Sequence, residues 1–146
     1  MNRMLKGSLT SFFALLLLAL LTGISSATHL ADLDSALADF YTNHNQRGYE
    51  KIKALLENEP ENATALALQG LFELRFKNGE AARELIEQAL EIDPQNALAH
   101  AAFGWYLVDY SEDNEGARAS VEKALELDPE LALAYNTRGI LAIEAN

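Results

Sequence analysis

The chain has 146 residues, 49% of them hydrophobic, with 22 acidic side chains against 11 basic ones, a formal net charge of −11 and no cysteine. That balance argues against nucleic acid and acidic membrane surfaces as partners, since both are repelled at long range and few cations are present to neutralise phosphates. Without cysteine there is neither a disulfide nor a thiolate metal site, so the fold must hold by packing alone.

Residues 1–27 read as a targeting segment. Arg3 and Lys6 form a basic start, Leu9 to Ile24 is an apolar run of about 16 residues, and Ser25, Ser26 and Ala27 supply the small residues of a cleavage site. This is the order of a secretory signal peptide, expected to be helical and to be removed after Ala27. The run falls short of the ~20 residues of a spanning helix, and an uncleaved amino-terminal anchor is the alternative. Cleavage removes two cations and leaves 9 − 22 = −13. The mature chain is expected to be exported, periplasmic or secreted.

Beyond the leader the sequence repeats. Leu85-Ile86-Glu87-Gln88-Ala89-Leu90-Glu91-Ile92-Asp93-Pro94 returns as Ser120-Val121-Glu122-Lys123-Ala124-Leu125-Glu126-Leu127-Asp128-Pro129. Pro60, Pro94 and Pro129 lie 34 and 35 residues apart, and Gly70, Gly104 and Gly139 keep the same two spacings. A period in this range marks units that bury their apolar faces only by stacking on one another.

In residues 28–61 the pattern is weakest. Leu30, Leu33, Leu37 and Phe40 recur at helical spacing, as do Tyr49, Ile52, Leu55 and Leu56, which predicts two amphipathic helices joined by Thr42 to Arg47. Ala36 takes the glycine position and Gly48 replaces an alanine, as suits a degenerate capping unit with one face toward water. Residues 62–95 and 96–130 are full units whose helices end at the prolines, which neither donate the next hydrogen bond nor clear the preceding turn. Asn62, Asn96 and Asn114 occupy N-cap positions. Gly104 to Ala117 is one residue longer than Gly70 to Ala82, which predicts an enlarged turn at Asn114 to Gly116. Residues 131–146 supply one helix, apolar over most of its circumference, with Leu133, Tyr135, Ile140, Leu141 and Ile143. It reads as the first helix of an incomplete repeat or as a capping helix, covered by further chain or by self-association.

The residues carrying this period resemble the tetratricopeptide repeat family, a 34-residue helix-turn-helix unit. Gly70, Gly104 and Gly139 match the family's small crossing residue, Leu66, His100 and Tyr135 the bulky position four before it, and Ala82, Ala89, Ala117 and Ala124 the small positions of the second helix. The resemblance implies an all-α, right-handed solenoid of antiparallel hairpins, in which the first helix of each unit lines a concave groove that receives a peptide or a partner helix. Carried over by position, the groove residues are Thr64, Ala67, Leu71, Leu74 and Arg75; then Leu98, Ala101, Trp105, Val108 and Asp109; then Leu133, Asn136, Ile140, Ile143 and Glu144. Such a floor suits the apolar face of an amphipathic helix or an extended hydrophobic peptide. Trp105 is the strongest single candidate, because an indole supplies large contact area and a donor at its edge. The family's basic carboxylate clamp is missing: its places hold Leu68, Ala102 and Thr137, so chaperone-like acidic tails are not expected to bind.

No cofactor or metal is expected, and no catalysis. His29, His44 and His100 form no nucleophile–base order, and His100 sits at a packing position. Ser111, Asp113, Glu115, Gly116 and Glu122 follow calcium-loop spacing, but the first ligand is serine and the repeat requires Ala117 to Leu127 to be helix. The resulting expectation is an exported, non-catalytic scaffold for protein–protein interaction, with two alternatives: the amino-terminal arm of a larger envelope enzyme or assembly factor, and a self-associating structural module. After leader cleavage no membrane partner is expected.

Overall fold

The computed structural model describes residues 29–144, so the expected leader lies outside the described residues. The described residues form seven α-helices and no strand. Helix α1 spans 29–41, followed by α2 (Asn45–Asn58), α3 (Ala63–Arg75), α4 (Gly79–Ile92), α5 (Ala97–Tyr106), a π-helical turn (Leu107–Ser111), α6 (Asn114–Leu127) and α7 (Ala132–Glu144). Pairs α1/α2, α3/α4 and α5/α6 make three antiparallel hairpins, and α7 is a fourth first helix. Among the described residues no helix is long and apolar enough to cross a membrane.

The period reappears in the turns. Asn43, Lys77 and Glu112 are the non-glycine residues with positive φ, at 63°, 65° and 51°, and they lie one repeat apart. At the first two, a left-handed residue closes the first helix. His44 N–H donates to Asp39 O at 2.8 Å and Asn78 N–H to Glu73 O at 2.9 Å, the six-to-one bond of a Schellman end. In the third, Asp113 N–H reaches back one residue further, to Leu107 O at 3.2 Å. The extra residue therefore widens the end of the first helix into a π-turn, and the expectation that it enlarges the turn at Asn114 to Gly116 is corrected. The second helix keeps its register, with Ala82 and Ala117 each three residues after the start of α4 and α6.

Two asparagine caps are in place. Asn62 Oδ1 accepts from Ala65 N–H and Asn96 Oδ1 from Ala99 N–H, both at 3.0 Å. Asn114 is not a cap: Asp113 Oδ1 accepts from Gly116 N–H at 2.9 Å, because the helix starts one residue later than the spacing suggested. The first inter-helix connection is likewise shorter than predicted, since Asn45 to Arg47 already belong to α2.

The crossing glycines act by close approach. A Cβ on Gly70 would lie 2.7 Å from Ile86 Cγ1 and 3.2 Å from Ala82 O, and one on Gly104 would lie 2.8 Å from Val121 Cγ2 and 3.2 Å from Ala117 O. Phe40, Ile52, Leu68, Leu71, Phe72, Leu74 and Ile86 are fully buried between the layers. His100 Nε2 meets Pro94 O at 2.9 Å, and Tyr135 Oη donates to Pro129 O at 2.8 Å, so the same repeat position locks successive proline turns.

The degenerate first hairpin is held partly by charge. Asp39 is buried and receives Arg47 Nε at 2.9 Å and Lys51 Nζ at 2.7 Å. The Arg47 hydrogen bonds, then that of Lys51, hold the Asp39 carboxyl well below the usual carboxylate range, while burial acts the other way. Its folded pKa is therefore lower than the unfolded value of about 3.9. The stabilisation is complete above that value and is lost as pH falls through and below it. Asp39→Asn is expected to lower the melting temperature at pH 7 and to flatten its decline below about pH 4, which a pH series of thermal melts checks.

Candidate functional site

The first helices α1, α3, α5 and α7 share one face of the stack, and a pocket of about 180 Å3 opens where all four contribute. Phe40 and Tyr41 come from the end of α1, Arg75 from the last residue of α3, and Trp105 from α5. Leu133, Asn136, Thr137 and Ile140 form the α7 wall. Hollows elsewhere, such as that at Glu59 to Asn62 and that at Val108 to Asn114, each sit on a single turn and lack aromatic lining.

Aromatic contacts set the geometry. Phe40 meets Phe72 edge-to-face at 5.5 Å and Trp105 edge-to-face at 6.0 Å. The Arg75 guanidinium lies 4.7 Å from the Phe40 ring centroid and 5.3 Å from that of Trp105, within cation–π range of both. Trp105 Nε1 donates to Asp109 Oδ2 at 3.0 Å, which fixes the indole, and Lys77 Nζ stands 3.9 Å from the same oxygen. Arg75 makes no ion pair among the described residues. Burial raises the Tyr41 phenol above its ordinary value, with the Leu133 backbone opposing it, so the two ends of the stack meet across the pocket.

Of the expected groove residues, the structure brings Arg75, Trp105, Leu133, Asn136 and Ile140 together. Leu71, Leu74, Leu98 and Val108 are not an open floor: they are 0%, 1%, 8% and 8% exposed. The reason is Phe40, which reaches from α1 to Trp105 on α5 and so passes over the face of α3. Ala67 and Ala101 are buried as well. Thr64 is a structural partner, its Oγ1 accepting from the Asn96 amide at 2.9 Å. Asp109 stands beside the pocket as the partner of Trp105. Ile143 is 77% exposed, away from it, and the Glu144 side chain lies outside the described residues. The sequence reading missed Phe40 and Tyr41, although the signal was present. The offsets of four and five that give Leu74 and Arg75 from Gly70 give Phe40 and Tyr41 from Ala36.

The clamp positions Leu68, Ala102 and Thr137 are buried, and Thr137 Oγ1 donates within its own helix to Leu133 O at 3.1 Å. On the calcium-like spacing, Asp113 caps α6 and Glu122 is exposed further along the same helix. Among the described residues no group of three or more histidine, aspartate or glutamate side chains is placed to hold a metal. In the first unit, Tyr49 Oη donates to Glu73 Oε1 at 2.8 Å, and burial first, then Glu73, raises the tyrosine.

Stacked antiparallel hairpins with a shared concave face define an α-solenoid scaffold for protein–protein interaction. Residues 33–97 match the tetratricopeptide repeat model, from within α1 to the start of α5, so the match includes the degenerate first hairpin. The chain is a tetratricopeptide-repeat protein. Its fold is similar to that of the first TPR of Spaghetti (RPAP3) bound to an HSP90 peptide, at a TM-score of 0.59 and 18% identity over 81% of this chain and 94% of that one. It is also similar to PilF of Pseudomonas aeruginosa, at 0.64 and 20% over 80% and 53%, and to PilW, a type IV pilus biogenesis factor, at 0.63 and 22% over 81% and 55%. The chain thus spans about half the length of those two proteins. No curated protein matches it in sequence.

Proposed function

We propose that this chain is an exported, non-catalytic scaffold that anchors a protein segment in the pocket between its first helices. The observation that supports this reading is the convergence of Phe40, Tyr41, Arg75, Trp105, Asn136 and Ile140 from four separate helices on one aromatic hollow. A volume of about 180 Å3 is below the ~300 Å3 at which small-molecule sites begin. It suits one bulky apolar side chain of a peptide or helix, with Arg75 and Asn136 at the rim to meet the backbone or a polar neighbour. The first TPR of Spaghetti holds a peptide, which makes the mode of use reasonable for a fold of this kind. Export rests on the basic, apolar and small-residue order of residues 1–27, and places the scaffold in the periplasm or outside the cell.

Trp105→Ala is expected to weaken partner binding by about 2 kcal/mol or more. Because Trp105 also packs on Phe40, its effect on melting must be measured beside Asn136→Ala and Ile140→Ala, whose side chains are exposed. Titration calorimetry against the partner segment, with melting temperature as control, checks this. Equal affinity for wild type and all three variants would remove the pocket from the account.

A further inference from the structure

We propose that α7 is a self-association surface whose occupant is the α7 of a second copy, crossed antiparallel about a two-fold axis at Gly139. In the second and third hairpins the glycine at this repeat position is filled by a branched side chain of the second helix, Ile86 on Gly70 and Val121 on Gly104. At Gly139 an added Cβ would meet nothing within 4 Å. The crossing notch is therefore built into α7 and stands open. Ala132, Tyr135, Gly139 and Ile143 are all exposed and follow one another at three- and four-residue steps, so they form one stripe along the helix. Tyr135 is 45% and Ile143 77% exposed. The opposite side of α7, with Ala134, Thr137 and Leu141, faces the core.

The stripe is complementary to itself. An antiparallel copy pivoting on Gly139 sets Tyr135 of each chain against Ile143 of the other, four residues to either side of the glycine, where the backbones come closest. The antiparallel sense is the one in which α3 meets α4 about Gly70 and α5 meets α6 about Gly104. Charge also favours this surface: from Ala132 to Ile143 the only charged residue is Arg138, in a chain of net charge −11. Its guanidinium lies 4.7 Å from its own Tyr135 ring centroid, at the margin of the stripe. Two copies therefore meet there with little of the repulsion that their acidic helices would bring. Two crossed helices bury an area near or below the ~1,200 Å2 of a stable interface, so the dimer is weak and concentration-dependent.

Sedimentation equilibrium over a concentration series, on the chain as recovered from its host, compares wild type with Gly139→Lys and Ile143→Lys. Both lysines enter open space in the single copy, and helicity and melting of the dilute protein verify that the fold is kept. Wild type is expected to pass from monomer to dimer as concentration rises. Each lysine, counted twice in a symmetric dimer, is expected to weaken association by about a hundredfold. Wild type that stays monomeric up to about 1 mM overturns the proposal. Folded variants that associate as wild type does overturn it too, because the contact then lies elsewhere. The inference is independent of the pocket reading, and loss of the dimer with partner binding retained separates the two.

Discussion

Phe40→Ala is expected to cost about 3–5 kcal/mol of folding stability, the range for truncating a buried aromatic ring. Phe40 is 1% exposed and bears on three helices besides its own chain neighbour: it meets Phe72 on α3 and Trp105 on α5 edge-to-face, and carries the Arg75 guanidinium on its face. Neighbouring first helices are joined by their own turns and layers, but Phe40 ties the first unit to the third. Its removal leaves a cavity that these rigid helices fill only in part. A loss of this size is a large share of the 5–15 kcal/mol that holds a domain folded, and lowers the melting temperature by roughly 10 °C or more. Trp105 supplies the readout, as the only tryptophan in the chain. Its emission should move to longer wavelength as water enters the pocket. Denaturant titration giving a loss below about 1 kcal/mol would mean that α1 does not dock as described.

The second large effect is a contrast of sign among three glycines that look alike in the sequence. Alanine is a better helix former than glycine by about 1 kcal/mol, so Gly139→Ala, whose Cβ meets nothing within 4 Å, should stabilise α7 by up to that amount. At Gly104 the same methyl would stand 2.8 Å from Val121 Cγ2 and 3.2 Å from a backbone carbonyl, and at Gly70 2.7 Å from Ile86 Cγ1. Val121 and Ile86 are buried and β-branched, with little freedom at χ1, and a helix carbonyl cannot swing aside. Overpacking of this kind costs about 1–3 kcal/mol, which exceeds the propensity gain. Gly70→Ala and Gly104→Ala should therefore lower the melting temperature while Gly139→Ala raises it. Three melts decide the matter, and a common sign for all three would contradict the hairpin geometry.

These glycines also show how much the sequence disclosed. Their spacing with the prolines was enough for the helical hairpins, because the period is imposed by stacking and every unit repeats the same constraint. Asn62 and Asn96 were legible as caps, since capping is a local matter of one side chain and a backbone amide three residues on. Asn114 was misread because the choice between adjacent residues depends on where the π-turn absorbs its extra residue, and that is decided by the packing of α6 on α5. Leu71 and Leu74 were misread for a similar reason. Family position places them on the concave face, but whether that face is open depends on how tightly the first helices curl together. Phe40 closes it, and no periodicity within one unit shows a contact between the first unit and the third. Arg75, Trp105, Asn136 and Ile140 were legible as neighbours because they sit on the rim, where position in the repeat alone fixes direction.

Crosslinking from single sites in the native compartment tests the central claim most directly. A photoreactive phenylalanine at Ile140, on the pocket rim, is compared with the same group at Glu126, exposed on the outer helix α6. The account predicts that one partner is captured from position 140, that it is absent from position 126, and that Trp105→Ala diminishes its capture. Equal capture from both positions, or capture unchanged by Trp105→Ala in a folded protein, would contradict it.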